Sequence, residues 1–289
     1  MIFGLNLPNY SHLGNRESMM AIAGLAEELG YSSLWTNDHI LMPSNRPEPF
    51  GNVLETFTTL SFLAARTETI RLATGILVLP QRDPVLVAKQ AATLHHLSGG
   101  RFILGVGVGY IPEEYAFLRA DFGGRGQVAD EYITAMRALF EDESPEYEGR
   151  HIHFSDALFS PRPSSLLPIV IGGSTKAALN RAAKLGDGWY GLRLSPQATA
   201  EAIEEMARIG HKPEFSLSLR VQTRVGGTVD GADPATTLHG PPDAIVNQVR
   251  RYRAVGIEQL VIEPQSASLT DFCEQMTLFA NEVAPACAA

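Results

Sequence analysis

The chain has 289 residues, 45% of them hydrophobic and 19% charged, which is enough apolar material for one large core and too much for a disordered chain. A net charge of −9 argues against a general binder of nucleic acid or of anionic membranes, since both need basic patches. The two cysteines, Cys273 and Cys287, lack metal-ligand spacing and fit a reduced compartment, and no apolar run reaches the ~20 residues needed to span a bilayer.

Residues 2–7 read as a strand with no basic segment or long apolar run, so no signal peptide is expected and the cytoplasm is the expected location. Further short apolar runs predict strands near 32–37, 70–76, 102–107, 168–172, 187–191, 215–223 and 258–262. Between and after them, helix-period segments fall near 16–29, 55–67, 84–97, 127–141, 175–185, 196–209, 242–254 and 269–284. In the second helix Phe57, Leu60, Leu63 and Ala64 share one face, and Thr56, Thr59 and Arg66 are expected on others. Asp83-Pro84 and Ser195-Pro196 each supply an N-cap acceptor followed by a first-turn proline, and Gly30 and Gly210 mark helix stops. The segment 142–167 breaks the rhythm with prolines at 145, 161 and 163; it reads as an excursion, with a hairpin through His151-Ile-His-Phe154.

Eight strand–helix pairs without a composition break predict a single TIM-type (β/α)8 barrel over residues 1–289. A doubly wound sheet fits the alternation locally, but the count of eight favours the barrel. Function in such a barrel sits where the strands end at their C-terminal side. Those ends carry Asn6, Asp38-His39, Gly75-Ile76, the stretch from Gly107 to Tyr110, and Gly172-Gly173-Ser174-Thr175.

The 172–175 segment lies between an apolar run and a helix start, so its backbone N–H groups and hydroxyls suit a phosphate; an ordinary turn with a Ser/Thr N-cap uses the same residues. Gly105-Val-Gly-Val-Gly109 fails the G-x-G-x-x-G spacing, and Ile111-Pro112-Glu113-Glu114 is expected to keep a helix from opening at once, so close approach to an aromatic ring system fits better than a Rossmann site. His39 can give or take a proton near neutral pH. His151 and His153 alternate on a strand and could ligate zinc, the basis of a metal-dependent barrel hydrolase, but the first strand ends Leu5-Asn6-Leu7 and lacks the His-x-His of such enzymes. No metal is expected. Gly173-Ser174 lacks the G-x-S-x-G elbow of a serine hydrolase.

Ser33-Leu-Trp-Thr-Asn-Asp-His-Ile40, Leu72-Ala-Thr-Gly-Ile-Leu-Val-Leu-Pro80, Pro84-Val-Leu-Val-Ala-Lys-Gln90, the run from Leu97 to Gly109, Gly186-Asp-Gly-Trp189 and the final run from Tyr252 to Ile262 occur in order along the chain. This series resembles the bacterial luciferase-like flavin and deazaflavin oxidoreductases, and is most similar to the actinobacterial branch that uses coenzyme F420. The resemblance implies a TIM-type barrel that moves a hydride between C5 of the deazaflavin and a small organic substrate, with His39 as proton relay. It implies that Gly75-Ile76, after Thr74, is a non-prolyl cis peptide behind the ring, and that Asp38 meets the ring's polar edge. Val108, Gly109 and Tyr110 would run along the cofactor with Glu113 nearby, and Gly172, Gly173, Ser174 and Thr175 would hold its phosphate. Sugar-phosphate dehydrogenases of the family carry a catalytic acid where this chain has Tyr110, which argues for a different, more apolar substrate, with Tyr110 as the second catalytic residue beside His39, stacking on or hydrogen-bonding to that substrate. The alternative within the fold is an FMN-dependent monooxygenase served by a separate reductase and oxygen. A homodimer, with no nucleic-acid or membrane partner, is the expected assembly.

Overall fold

The computed structural model describes residues 1–46 and 48–288. Eight parallel strands form the barrel: β1 (Ile2–Asn6), β2 (Ser33–Thr36), β3 (Arg71–Thr74), β4 (Phe102–Gly107), β5 (Ile169–Gly172), β6 (Gly188–Leu192), β7 (Ser216–Val225) and β8 (Gln259–Pro264). Each pairs with the next, and β1 pairs in parallel with β8, Leu5 opposite Ile262, so the sheet closes and leaves no edge. Eight helices lie outside: α1 (Arg16–Glu28), α2 (Thr56–Ala64), α3 (Pro84–Leu97), α4 (Arg125–Glu141), α5 (Lys176–Leu185), α6 (Pro196–Ile209), α7 (Pro242–Ala254) and α8 (Leu269–Leu278). The predicted barrel is therefore present, strand for strand. Short parallel strands at Leu77–Val78 and Thr237–Gly240 extend the sheet, and the predicted excursion holds an antiparallel hairpin of Tyr147–Glu148 with His153–Phe154.

The strands are continuous in apolar residues because both of their faces are covered: all six residues of β4 and all six of β8 are buried. Inside the barrel Trp35, Ala73, Ile103, Val170, Tyr190 and Val261 pack together, and the Trp35 and Tyr190 rings stack with centroids 4.5 Å apart. Helix starts follow the sequence signals, since Asp83 accepts from the Leu86 N–H at 2.9 Å and Ser195 from the Ala198 N–H at 3.2 Å.

Two local expectations fail. Thr56 and Thr59, expected on faces other than the apolar one, are buried with it: Thr56 shares a hydroxyl–hydroxyl hydrogen bond with Thr36 of β2, and Thr59 donates to the Glu55 carbonyl at 2.8 Å. A hydroxyl that finds a partner can be buried at little cost, and a polar/apolar pattern does not register this. A short helix, Pro112–Phe117, also opens directly after the loop that follows β4. Pro112 suits a first turn and Glu113 and Glu114 favour its positive end, so the residues read as a barrier to a helix are its start.

The strand-end glycines have a steric cause. A Cβ on Gly107 or Gly172 would stand 2.2 or 2.1 Å from Ile76 Cδ1, and one on Gly105 would stand 2.0 Å from the Thr74 carbonyl oxygen. The side chain that follows β3 thus crosses the ends of β4 and β5. Ile76 can change rotamer, whereas a backbone carbonyl cannot retreat. Gly105→Ala is accordingly expected to destabilise by about 3 kcal/mol, at the top of the usual range for overpacking, and Gly172→Ala by about 1. Urea midpoints compare the two; a Gly105→Ala protein no less stable than Gly172→Ala would refute the ordering.

Candidate active site

Because every barrel strand runs the same way, the segments after β2, β3, β4 and β5 meet on one rim. They bring Asp38-His39, Gly75-Ile76, Val108-Gly109-Tyr110 and the 172–175 loop to a single mouth, as the sequence predicts.

After β2, Asp38 is buried and tied down. Its carboxylate accepts from Arg82 Nη2 at 2.7 Å and Nη1 at 2.9 Å, and from the Val78 N–H at 2.8 Å. Burial pushes this carboxyl up, with the Arg82 charge and the Val78 N–H opposing. Asp38 therefore anchors the segment after β3 to β2. Between those anchors the Gly75-Ile76 peptide is cis, in keeping with what the resemblance implies, and Thr74 donates to the Gly105 carbonyl at 2.7 Å.

His39 Nδ1 lies 3.1 Å from Glu114 Oε2, and Glu114 Oε1 accepts the Ile40 N–H at 2.7 Å. Glu114 is only 2% exposed, so its one charge is spent on holding His39 and the loop that carries it. Burial alone would raise this carboxyl, but the hydrogen bonds from His39 and Ile40 bring it below the usual range. With Nδ1–H given to the carboxylate, Nε2 is the nitrogen left for proton exchange. The ring is flanked by Phe50 at 4.5 Å and, edge-on, by Tyr110 at 6.2 Å between centroids. Sequence reasoning names Glu113 near the cofactor and misses Glu114. A helix read from Pro112 would have placed these neighbours on different faces and made the choice visible. Glu113 Oε2 is buried without a hydrogen-bond partner among the described residues.

On the β4 side, Val108 accepts the Tyr115 hydroxyl at 2.6 Å, and Gly109 has φ of 60° with Val78 where a side chain would go. Tyr110 is 64% exposed and open to the mouth's surroundings. After β5, Gly173 has φ of 116°, a region closed to other residues, and its carbonyl accepts Trp189 Nε1 at 2.7 Å. Ser174 and Thr175 are exposed, and Thr175 caps α5 by accepting from the Ala178 N–H at 3.3 Å. The Lys176 and Ala177 N–H groups at the start of α5 are left for an anion.

A buried polar network on the other side of the mouth escapes sequence reasoning. Arg220 of β7 pairs with Glu263 of β8 through Nε at 3.0 Å and Nη2 at 3.0 Å, and donates from Nη1 to Asn37 Oδ1 at 2.6 Å. Asn37 in turn donates to Asn6 Oδ1 at 3.2 Å. Glu263 also takes the Tyr10 hydroxyl at 3.3 Å and both of its oxygens take Arg193 Nη2 at 3.0 Å. The available signal is a charged residue inside the apolar run 215–223 and another just after 258–262. Among the described residues no group of three or more His, Cys, Asp or Glu is placed to hold a metal ion, and His151 and His153 lie on the outer hairpin and its turn. Among them, too, no helix is long and apolar enough to cross a membrane.

Comparison with known proteins gives three further findings. The model of the luciferase-like monooxygenases matches residues 2–230. An uncharacterised protein of Mycobacterium tuberculosis is 35% identical over 225 residues, covering 73% of this chain and 78% of that one. Two solved structures share the fold over nearly their whole lengths. One is an F420-dependent secondary alcohol dehydrogenase in complex with an F420–acetone adduct, with a TM-score of 0.83, 18% identity and coverage of 99% and 98%. The other is the oxygenating constituent of 3,6-diketocamphane monooxygenase from Pseudomonas putida with FMN, with a TM-score of 0.80, 17% identity and coverage of 99% and 98%.

Proposed function

The chain belongs to the luciferase-like monooxygenase family, and we propose that within it this protein is an F420-dependent oxidoreductase acting on a small organic substrate. The observation that carries the reading is the His39–Glu114 pair, set on the same rim as Gly75-Ile76 and the 172–175 loop. The residues present suit a deazaflavin: Ile76 offers an apolar surface at the strand ends, and the exposed start of α5 with Ser174 and Thr175 suits a phosphate. Coenzyme F420 supplies, when bound, a C5 position that gives or accepts a hydride.

The protein's own part is to position and to move a proton. Glu114 fixes the His39 ring through Nδ1, so Nε2 exchanges a proton with the substrate oxygen or nitrogen. Phe50 and Tyr110 flank that nitrogen's ring and favour an apolar or aromatic substrate body. Asp38 and Arg82 hold the segment after β3 in place. In this proposal the enzyme works as a homodimer, with neither nucleic acid nor membrane as partner.

A second reading, an FMN-dependent monooxygenase with a reductase partner, is favoured by the FMN-bound structural neighbour. Absorbance titration separates the two. F420 is expected to bind with a Kd of about 10 μM or tighter, that is, at least ~7 kcal/mol. No saturation at tens of micromolar F420 would overturn the first reading, and yellow flavin retained through purification would move the assignment to the second.

A further inference from the structure

The corner of the mouth formed by β6, β7 and β8 has features that the proton relay leaves unused. Glu263 contacts two guanidinium groups, so the set of Arg220, Arg193 and Glu263 carries two positive charges against one negative, a net +1. Arg220 and Glu263 are 5% and 4% exposed and satisfy one another. The excess charge therefore rests on Arg193, whose side chain is 43% exposed. Only its Nη2 is engaged, on Glu263; Nε and Nη1 donate to no described residue.

The backbone under this side chain is also unusual. Arg193 is a non-glycine residue at φ of 49°, held by its N–H on the Arg220 carbonyl at 2.9 Å. Residues fixed in this sparsely populated region concentrate at functional sites, because the fold must over-determine them. Tyr10 joins this corner to the proton relay: its hydroxyl is on Glu263, and its ring is 5.0 Å from Phe50, which packs on His39.

We propose that Arg193 is a substrate subsite for one anionic oxygen group, and that the substrate is a planar organic molecule bearing a carboxylate or an equivalent oxyanion. The aromatic arc of Tyr10, Phe50 and His39 receives its body, and Arg193 sets its register by a charge-assisted hydrogen bond. Glu263 acts as the positioning residue: it holds Nη2 and leaves the other two nitrogens free. The proposal rests on the barrel mouth being the substrate site, and it names what that site selects.

Benzoate and its neutral counterpart benzamide serve as probes, titrated against the full chain without added cofactor and followed by calorimetry. Benzoate is expected to bind in the millimolar range or tighter, ~4 kcal/mol or more. Arg193→Gln is expected to weaken benzoate by about tenfold and benzamide by less than about twofold, the loss expected for one charged-group hydrogen bond. Arg193→Lys, which keeps the charge, should restore part of the affinity and guards against a folding artefact in the glutamine variant. Benzoate affinity unchanged by Arg193→Gln, or absent at about 20 mM, would overturn the subsite. An F420 titration of Arg193→Gln completes the test: an affinity within twofold of the parent supports a substrate role, and parallel loss of F420 and benzoate binding would assign the corner to the cofactor and overturn it. Failure of F420 to bind any variant would instead strike the cofactor reading, with the benzoate result still decisive for Arg193.

Discussion

Replacement of His39 by Ala is expected to lower turnover by ~10²-fold or more while F420 affinity stays within about twofold. The imidazole is held at Nδ1 by a buried carboxylate, so under the proposed function the loss removes a positioned proton relay and little else. The groups assigned to the cofactor, at Gly75-Ile76 and in the 172–175 loop, lie after β3 and β5 and touch neither His39 nor Glu114 through any hydrogen bond. Stopped-flow measurement of the single-turnover rate, beside a cofactor titration, checks both halves. Glu114→Gln serves as the companion: it keeps shape but removes the carboxylate charge that faces Nδ1, and about a tenfold loss in kcat with KM unchanged is the expected outcome. Turnover of His39→Ala equal to that of the parent would remove the residue from the mechanism.

The largest effect on stability is expected from Glu263→Ala, about 3–5 kcal/mol, because it leaves the buried Arg220 charge without its partner. Breaking one side of a buried pair is far more costly than replacing both, so the double variant Glu263→Leu with Arg220→Met should recover much of the loss. The effect has a pH signature. Burial raises the Glu263 carboxyl, but Arg220 and Arg193 bring it below its ordinary 4.5. A group lowered on folding contributes stability that is complete above the unfolded value and is lost as pH falls through the folded one. The gap between parent and variant in urea midpoint should thus be constant above about pH 5 and narrow on further acidification. A gap that widens below pH 4 would contradict the ion pair as its source.

How much of this was visible before folding differs by element. The eight strands and eight helices follow from runs and periods that each lie within one segment, and the caps at Asp83 and Ser195 from local spacing. His39 and Tyr110, and the loops around them, could be placed on one rim by counting alone, because parallel strands all end on the same side. Glu114 was missed for its neighbour Glu113, since facing is set by a short helix whose start looked like a break. The burial of Thr56 and Thr59 is unmarked for a related reason: a hydroxyl carries no apolar signal, and it is buried by finding a partner, for Thr56 the Thr36 hydroxyl of another segment and for Thr59 the Glu55 carbonyl one turn back.

The glycines show the same division most plainly. That Gly105, Gly107 and Gly172 fall at or near the C-terminal ends of strands is readable in order along the chain; that they make room for Thr74 and Ile76 is not. The barrel, the rim on which chemistry gathers, the candidate histidine and the family resemblance are legible in the order of residues alone, because these depend on short-range pattern and on strand direction. Only the tertiary structure decided that Glu114 holds His39, that Asp38 is held by Arg82, and that Arg220, Glu263 and Arg193 form one charged corner. The first of these contacts joins residues 75 positions apart and the second 44 apart, while the Glu263 pairings span 43 and 70. Their partners are chosen by the register and closure of the sheet, and a charge in one strand carries no mark of the charge it will meet in another.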